Sequence, residues 1–163
     1  MMKILFIQTG GTIDKDYPTK VKGYAFEFGQ PAFINILNKV DPNFEYEIVS
    51  PFKKDSLDMT AEDRQMIYDI CAKSLIDKIV ITHGTDTMTE TARVLSLLKD
   101  KTVVLTGSLQ PEKFITSDAD FNVGAAVAAV NIAVPGIYIA MSGRIYKWDQ
   151  CHKDQKTGQF IET

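Results

Sequence analysis

Short apolar runs rich in β-branched residues alternate along the chain with longer segments of helical spacing. The runs lie at 4–7, 46–49, 78–81, 102–105 and 136–140. Each is nearly continuous, the pattern of a strand covered on both faces of a parallel sheet. Phe33, Ile36, Leu37 and Val40 mark a helix around 31–39. Met66, Ile67, Ile70, Cys71 and Leu75 mark a second over 61–75, and Ala92, Val94, Leu95 and Leu98 a third over 89–98. The segment 121–132 is apolar around most of its circumference, which predicts a helix packed between two surfaces, a partner subunit being one candidate for the second.

Alternating strands and helices predict an α/β fold: a three-layer sandwich with right-handed crossovers and a mainly parallel five-stranded flavodoxin/Rossmann-like sheet. Its expected strand order is 2-1-3-4-5, which makes strands 1 and 3 neighbours at the point where the winding reverses. Ligands bind beyond the carboxyl ends of the strands there, so the loops "TGGT" (9–12) and "THGTDT" (82–87) are expected to meet. The connection 14–29 is long for a strand-to-helix link and shows no helical pattern, as a lid or hairpin over a site would.

Length and composition set limits. The chain has 163 residues, read as one domain over 1–163, with 45% apolar residues, 24% charged residues and a net charge of −3. That is the composition of an ordinary globular protein with a sizeable core. No Lys/Arg block forms an electrostatic footprint for nucleic acid, and no apolar stretch reaches the roughly 20 residues needed to cross a bilayer. Met1 leads directly into the first strand pattern, so the cytoplasm is the expected location and neither a membrane nor a nucleic-acid partner is expected. Cys71 falls on the apolar side of its helix and reads as a buried free thiol. Cys151, His152 and His83 match no zinc-ligand spacing, so neither a metal nor another cofactor is expected.

Gly10 and Gly11 permit a tight turn and a close approach to the backbone. The loop lacks the Gly-Lys-Ser/Thr ending of a phosphate loop and is not a dinucleotide fingerprint. It reads either as a plain strand-to-loop turn or as a turn presenting a reactive hydroxyl. Thr87 and Glu90 have the spacing of a capping box, as do Thr60 and Asp63. Asp86 suits the positive end of the helix dipole, which leaves Thr85 without a structural role. Ser117, Asp118 and Asn122 are candidate caps for the helix that follows them. Ser56 follows strand 2 and is within reach of the same crevice.

"ILFIQTGGTID" together with "IVITHGTDTMTETA" resembles the asparaginase/glutaminase family of threonine-dependent amidohydrolases. "DSLDMT" and "LTGSLQP…SDADFN" resemble further landmarks of its N-terminal part, and the likeness runs from Lys3 to about Lys153. The resemblance implies hydrolysis of the side-chain amide of L-asparagine, or of a related small amide, to L-aspartate and ammonia. Thr12 would be the nucleophile, assisted by a lid tyrosine, Tyr24 in "GYAFEFG" or its competitor Tyr17. Thr85 and Asp86 would form a second catalytic group with Lys153, although His152 stands where the family usually has a threonine. Gly11 and Gly84 would flank the oxyanion, Ser56 would take the substrate α-carboxylate and Asp86 its α-amino group. Leu57 occupies a substrate-contacting position where well-known periplasmic members carry glutamine.

The family's smaller C-terminal domain is expected to be absent from 1–163. A homodimer or higher homo-oligomer is expected, with a small amide or amino acid as its ligand. The alternative reading is a weak or inactive single-domain relative that binds such a ligand without turnover.

Overall fold

β1 (Lys3–Gln8) opens the chain in a computed structural model that describes residues 1–18 and 25–163. A 3-10 turn, Thr12–Asp14, leads into a small hairpin of β2 (Lys15–Asp16) and β3 (Glu27–Phe28). Then follow α1 (Ala32–Val40), β4 (Glu45–Val49), the 3-10 turn Ser56–Asp58, α2 (Ala61–Lys73), β5 (Lys78–Thr82) and α3 (Met88–Leu95). β6 (Thr102–Thr106), α4 (Ala119–Ile132), β7 (Gly136–Met141), β8 (Arg144–Lys147), β9 (Cys151–Lys153) and β10 (Phe160–Glu162) complete the order.

The main sheet runs β4-β1-β5-β6-β7-β8. Its first five strands are parallel and are the five expected ones, in the expected 2-1-3-4-5 order. β8 adds a sixth, antiparallel strand that the hydrophobic pattern does not announce. It returns from β7 through Ser142 and Gly143, whose φ values of 52° and 82° are those of a two-residue hairpin turn.

Period-2 alternation divides the core into two layers. Leu5, Ile7, Ile79, Ile81, Val103 and Leu105 face Ile67 and Cys71 of α2 and Met88, Ala92 and Leu95 of α3. Ile4, Phe6, Val80 and Val104 face Phe33, Ile36 and Leu37 of α1 and Val123, Ala126 and Val130 of α4. The result is the three-layer sandwich. Cys71 is a buried free thiol, pushed by burial up to about 12.

Two expectations need correction. β4 is an edge strand with Ile48 exposed, because only β1 pairs with it. Met66 and Leu75 are exposed; α2 stops at Lys73, and Ile67 and Cys71 carry its packing. Within this chain α4 buries one face only, and Phe121 and Ile132 stand exposed on the other.

Candidate active site

Three loops meet backbone to backbone at the carboxyl end of the sheet. Past β1, the Thr9 N–H and hydroxyl both donate to the Thr82 carbonyl, at 3.1 and 2.8 Å, and so strap the ends of β1 and β5 together. Lys54, past β4, donates its N–H to the Thr9 carbonyl at 3.0 Å and accepts from the Gly11 N–H at 2.9 Å. Gly11 has φ +83°, and a Cβ there would lie 2.4 Å from the Gly84 nitrogen. A Cβ on Gly84 would lie 2.8 Å from the Ser56 hydroxyl. The glycines are thus required by contact, and they bring the loops that carry Thr12, Ser56 and Thr85 against one another. The Gly11 N–H is thereby engaged by the Lys54 carbonyl. Thr12 begins the turn immediately after it and is half-buried.

The far end of the chain reaches the same place. Lys153 Nζ donates to Thr85 Oγ1 at 2.7 Å and to Asp86 Oδ1 at 2.6 Å. The β9–β10 hairpin aims it: Cys151 is buried in the core, His152 points out, and Lys153 falls half-buried on the site side. The Tyr146 hydroxyl donates to the Phe160 carbonyl at 2.8 Å and ties this hairpin to β8. Asp86 therefore pairs with a lysine across the fold.

Thr87 does not make the expected capping box. Its hydroxyl donates to the Ser56 carbonyl at 2.7 Å and accepts from Arg64 Nη2 at 3.0 Å, and Glu90 pairs with the same guanidinium at 3.0 Å. A tertiary partner outbids the local one. Thr60 has no such competitor and forms its box with Asp63. Ser56 is buried and its hydroxyl accepts from the Thr87 N–H at 3.4 Å, whereas Leu57 beside it is 73% exposed. His83 is fully buried, with Nδ1 2.6 Å from the Gly84 carbonyl and Nε2 2.8 Å from Thr91 Oγ1. Burial pushes its imidazole down to about 4, so it is a neutral support for the Gly84 loop.

Of the candidate caps on α4, only Ser117 acts as one, accepting from the Ala119 N–H at 3.1 Å. Asp118 instead accepts from the Leu109 and Gln110 N–H groups. Asn122 is buried and bridges two loops, donating to the Gly107 carbonyl and accepting from the Ser142 N–H.

Within the long connection 14–29, β2 and β3 pair as a short antiparallel hairpin. Tyr24 lies outside the described residues. Tyr17 is 62% exposed, its ring 5.7 Å from that of Phe26 and 6.3 Å from that of Phe114. Asp14, in the same loop as Thr12, escapes sequence reasoning, which treats acidic residues as solvated. It is buried, and its carboxylate accepts from the Ala32 N–H at 2.8 Å, with the Thr82 hydroxyl 3.5 Å away. Burial pushes this carboxyl up to about 7 against those hydrogen bonds. Among the described residues no cluster of three or more His, Cys, Asp or Glu side chains has the arrangement of a metal site.

These loops have counterparts elsewhere. L-asparaginase 1 of Escherichia coli (strain K12) is 36% identical over 123 residues, which are 72% of this chain and 36% of that protein. L-asparaginase 2 of Bacillus subtilis (strain 168) is 30% identical over 133 residues, 76% of this chain and 36% of that one. The thermostable L-asparaginase from Thermococcus kodakarensis superposes with a TM-score of 0.83 at 30% identity, covering 99% of this chain and 51% of that one. The chain thus spans about a third of the length of the two curated relatives and half of the solved one. The family description "Asparaginase, N-terminal" matches residues 3–159. With nearly every residue inside that match, and with both threonine loops at the strand ends, the chain belongs to the asparaginase family.

Proposed function

We propose that this chain is an asparaginase N-terminal-type domain carrying the reacting groups of an amidohydrolase that converts L-asparagine to L-aspartate and ammonia. The observation that carries the reading is Lys153 held against both Thr85 and Asp86, 68 and 67 residues away in sequence. A lysine, a hydroxyl and a carboxylate in one chain of hydrogen bonds form a proton path beside the loop that presents Thr12. The relatives named as L-asparaginases support the choice of substrate.

In this reading Thr12 Oγ attacks the amide carbon, its proton passes to the leaving nitrogen, and ammonia departs from a threonyl ester. An ordinary hydroxyl is a weak nucleophile and needs such help. Water then attacks the ester carbon. Its proton passes by way of the Thr85, Lys153 and Asp86 group to Thr12 Oγ, which leaves the acyl carbon with its hydroxyl restored. The negative oxygen formed in each step needs N–H donors, each worth on the order of 10²–10³ in rate. With the Gly11 N–H engaged elsewhere, that role falls to neighbouring backbone groups of the two loops. Ser56 receives the α-carboxylate and Asp86 the α-ammonium. Leu57 offers apolar contact only, which leaves recognition of the amino group to Asp86. A lid tyrosine, Tyr24 or its competitor Tyr17, assists Thr12.

Acid-quenched turnover followed by peptide mass spectrometry tests this assignment. It is expected to find an aspartyl ester on the peptide containing Thr12. Turnover with the ester on another residue would overturn it.

A further inference from the structure

α2 carries a buried arginine in its first turn that the mechanism above does not use. Arg64 is 9% exposed and carries a planar guanidinium with five N–H donors. Burying such a group is costly unless its donors are matched. Nη1 donates to the carbonyls of Met59 and Thr60, at 2.9 and 3.3 Å. Nη2 donates to the Thr87 hydroxyl at 3.0 Å and pairs with Glu90. Nε is buried with no hydrogen-bond partner among the described residues. The group is therefore placed for the two loops it bridges at the expense of its own solvation.

The direction of the hydrogen bonds matters. A hydroxyl has one proton. By accepting from Arg64, Thr87 Oγ1 is left to donate that proton to the Ser56 carbonyl, at 2.7 Å. The Thr87 N–H meets the Ser56 hydroxyl at 3.4 Å. One guanidinium thus holds both ends of the segment 56–60, directly at Met59 and Thr60 and through Thr87 at Ser56. It holds the loop 84–87 by the same contact. The adjacent Asp63 completes the arrangement on the other side, pairing at 2.7 Å with Lys54, whose backbone holds the Thr12 loop.

We infer that Arg64 is a positioning residue, a planar clamp that fixes the Ser56–Asp58 turn against the loop 84–87 and so sets where the Ser56 hydroxyl and Asp86 stand for the ligand. The part that concerns the ligand rests on the hydrolase reading; the clamp itself does not. A lysine at this position would be a point charge unable to span both loops.

Two measurements on Arg64→Met and Arg64→Lys separate the claims. The first is hydrogen–deuterium exchange, which needs no turnover. Both variants are expected to raise exchange in 56–60 and 84–87 by about tenfold or more, with the amides of β1, β5 and β6 unchanged, Lys giving the smaller rise. The second is steady-state kinetics with L-asparagine. KM is expected to rise by about tenfold or more with a much smaller change in kcat, because Ser56, the residue the clamp reaches through Thr87, meets only the α-carboxylate, which ground and transition states present alike. Exchange unchanged in the two segments, or raised uniformly across the sheet, would overturn the clamp. A fall in kcat at constant KM would overturn its role in ligand placement. If wild-type protein shows no turnover, the hydrolase reading fails and the exchange result still decides the clamp. Should Arg64→Met not fold, Thr87→Val breaks the same relay with the guanidinium retained and is expected to loosen 56–60 alike.

Discussion

Gly11 and Gly84 touch through their backbones, with no room for a methyl group between the loop that presents Thr12 and the loop that presents Thr85. Gly11→Ala places its Cβ 2.4 Å from the Gly84 nitrogen on a backbone of φ +83°. Strain and overpacking together are expected to lower stability by roughly 2–4 kcal/mol. Gly124→Ala is the control: it lies in α4 with nothing within 4 Å of an added Cβ. It is expected to stabilise by about 0.5–1 kcal/mol. Denaturant midpoints of the two variants check both signs.

Lys153→Met removes the donor shared by Thr85 and Asp86. On the proposed mechanism the rate with L-asparagine falls on the order of 10²–10⁴-fold. Stability changes by less than about 1 kcal/mol, since Asp86 is 46% exposed and water replaces the lysine. The kcat and the melting temperature of one preparation test the pair of expectations. A large loss of stability with unchanged kcat would assign Lys153 to the fold instead.

Asp14 gives a pH dependence with a definite sign. Its folded-state pKa of about 7 stands above the ordinary carboxylate value, so between roughly pH 4 and 7 the folded state holds more protons than the unfolded one. Stability contributed by this group is full below that window and is lost as pH rises through 7. His83, pushed down to about 4, acts in the opposite sense over much of the same range. Asp14→Asn isolates the first effect, because the amide oxygen still accepts from the Ala32 N–H. The variant is expected to match wild type near pH 4 and to melt progressively higher than wild type up to pH 7 and above. Melting curves at matched pH values check this; a constant offset across the range would contradict it.

Much of the layout is legible in the pattern of apolar runs. Five strands and four helices follow from it because strands covered on both faces and helices with one buried stripe leave strong periodic signals. β8 leaves none: three of its four residues are exposed, and only the Ser142–Gly143 turn hints at it. Thr60 and Thr87 show the limit of local rules. Both begin a Thr-x-x-acid sequence, yet only Thr60 forms the box, because Arg64 reaches Thr87 from another helix. Arg64 and Asp14 look like surface charges in sequence, since burial of a charge depends on partners that arrive from elsewhere in the fold. Lys153 is indicated only by the family resemblance. Nothing in "YKWDQCHKDQ" distinguishes that lysine until the β9–β10 hairpin carries it to Thr85.

The most direct test of the account is ammonia release from L-asparagine by purified wild-type protein and by Thr12→Ala, assayed side by side. The account predicts release by wild type and a loss on the order of 10²-fold or more in the variant. Equal rates for the two proteins, or no release by wild type, would contradict it.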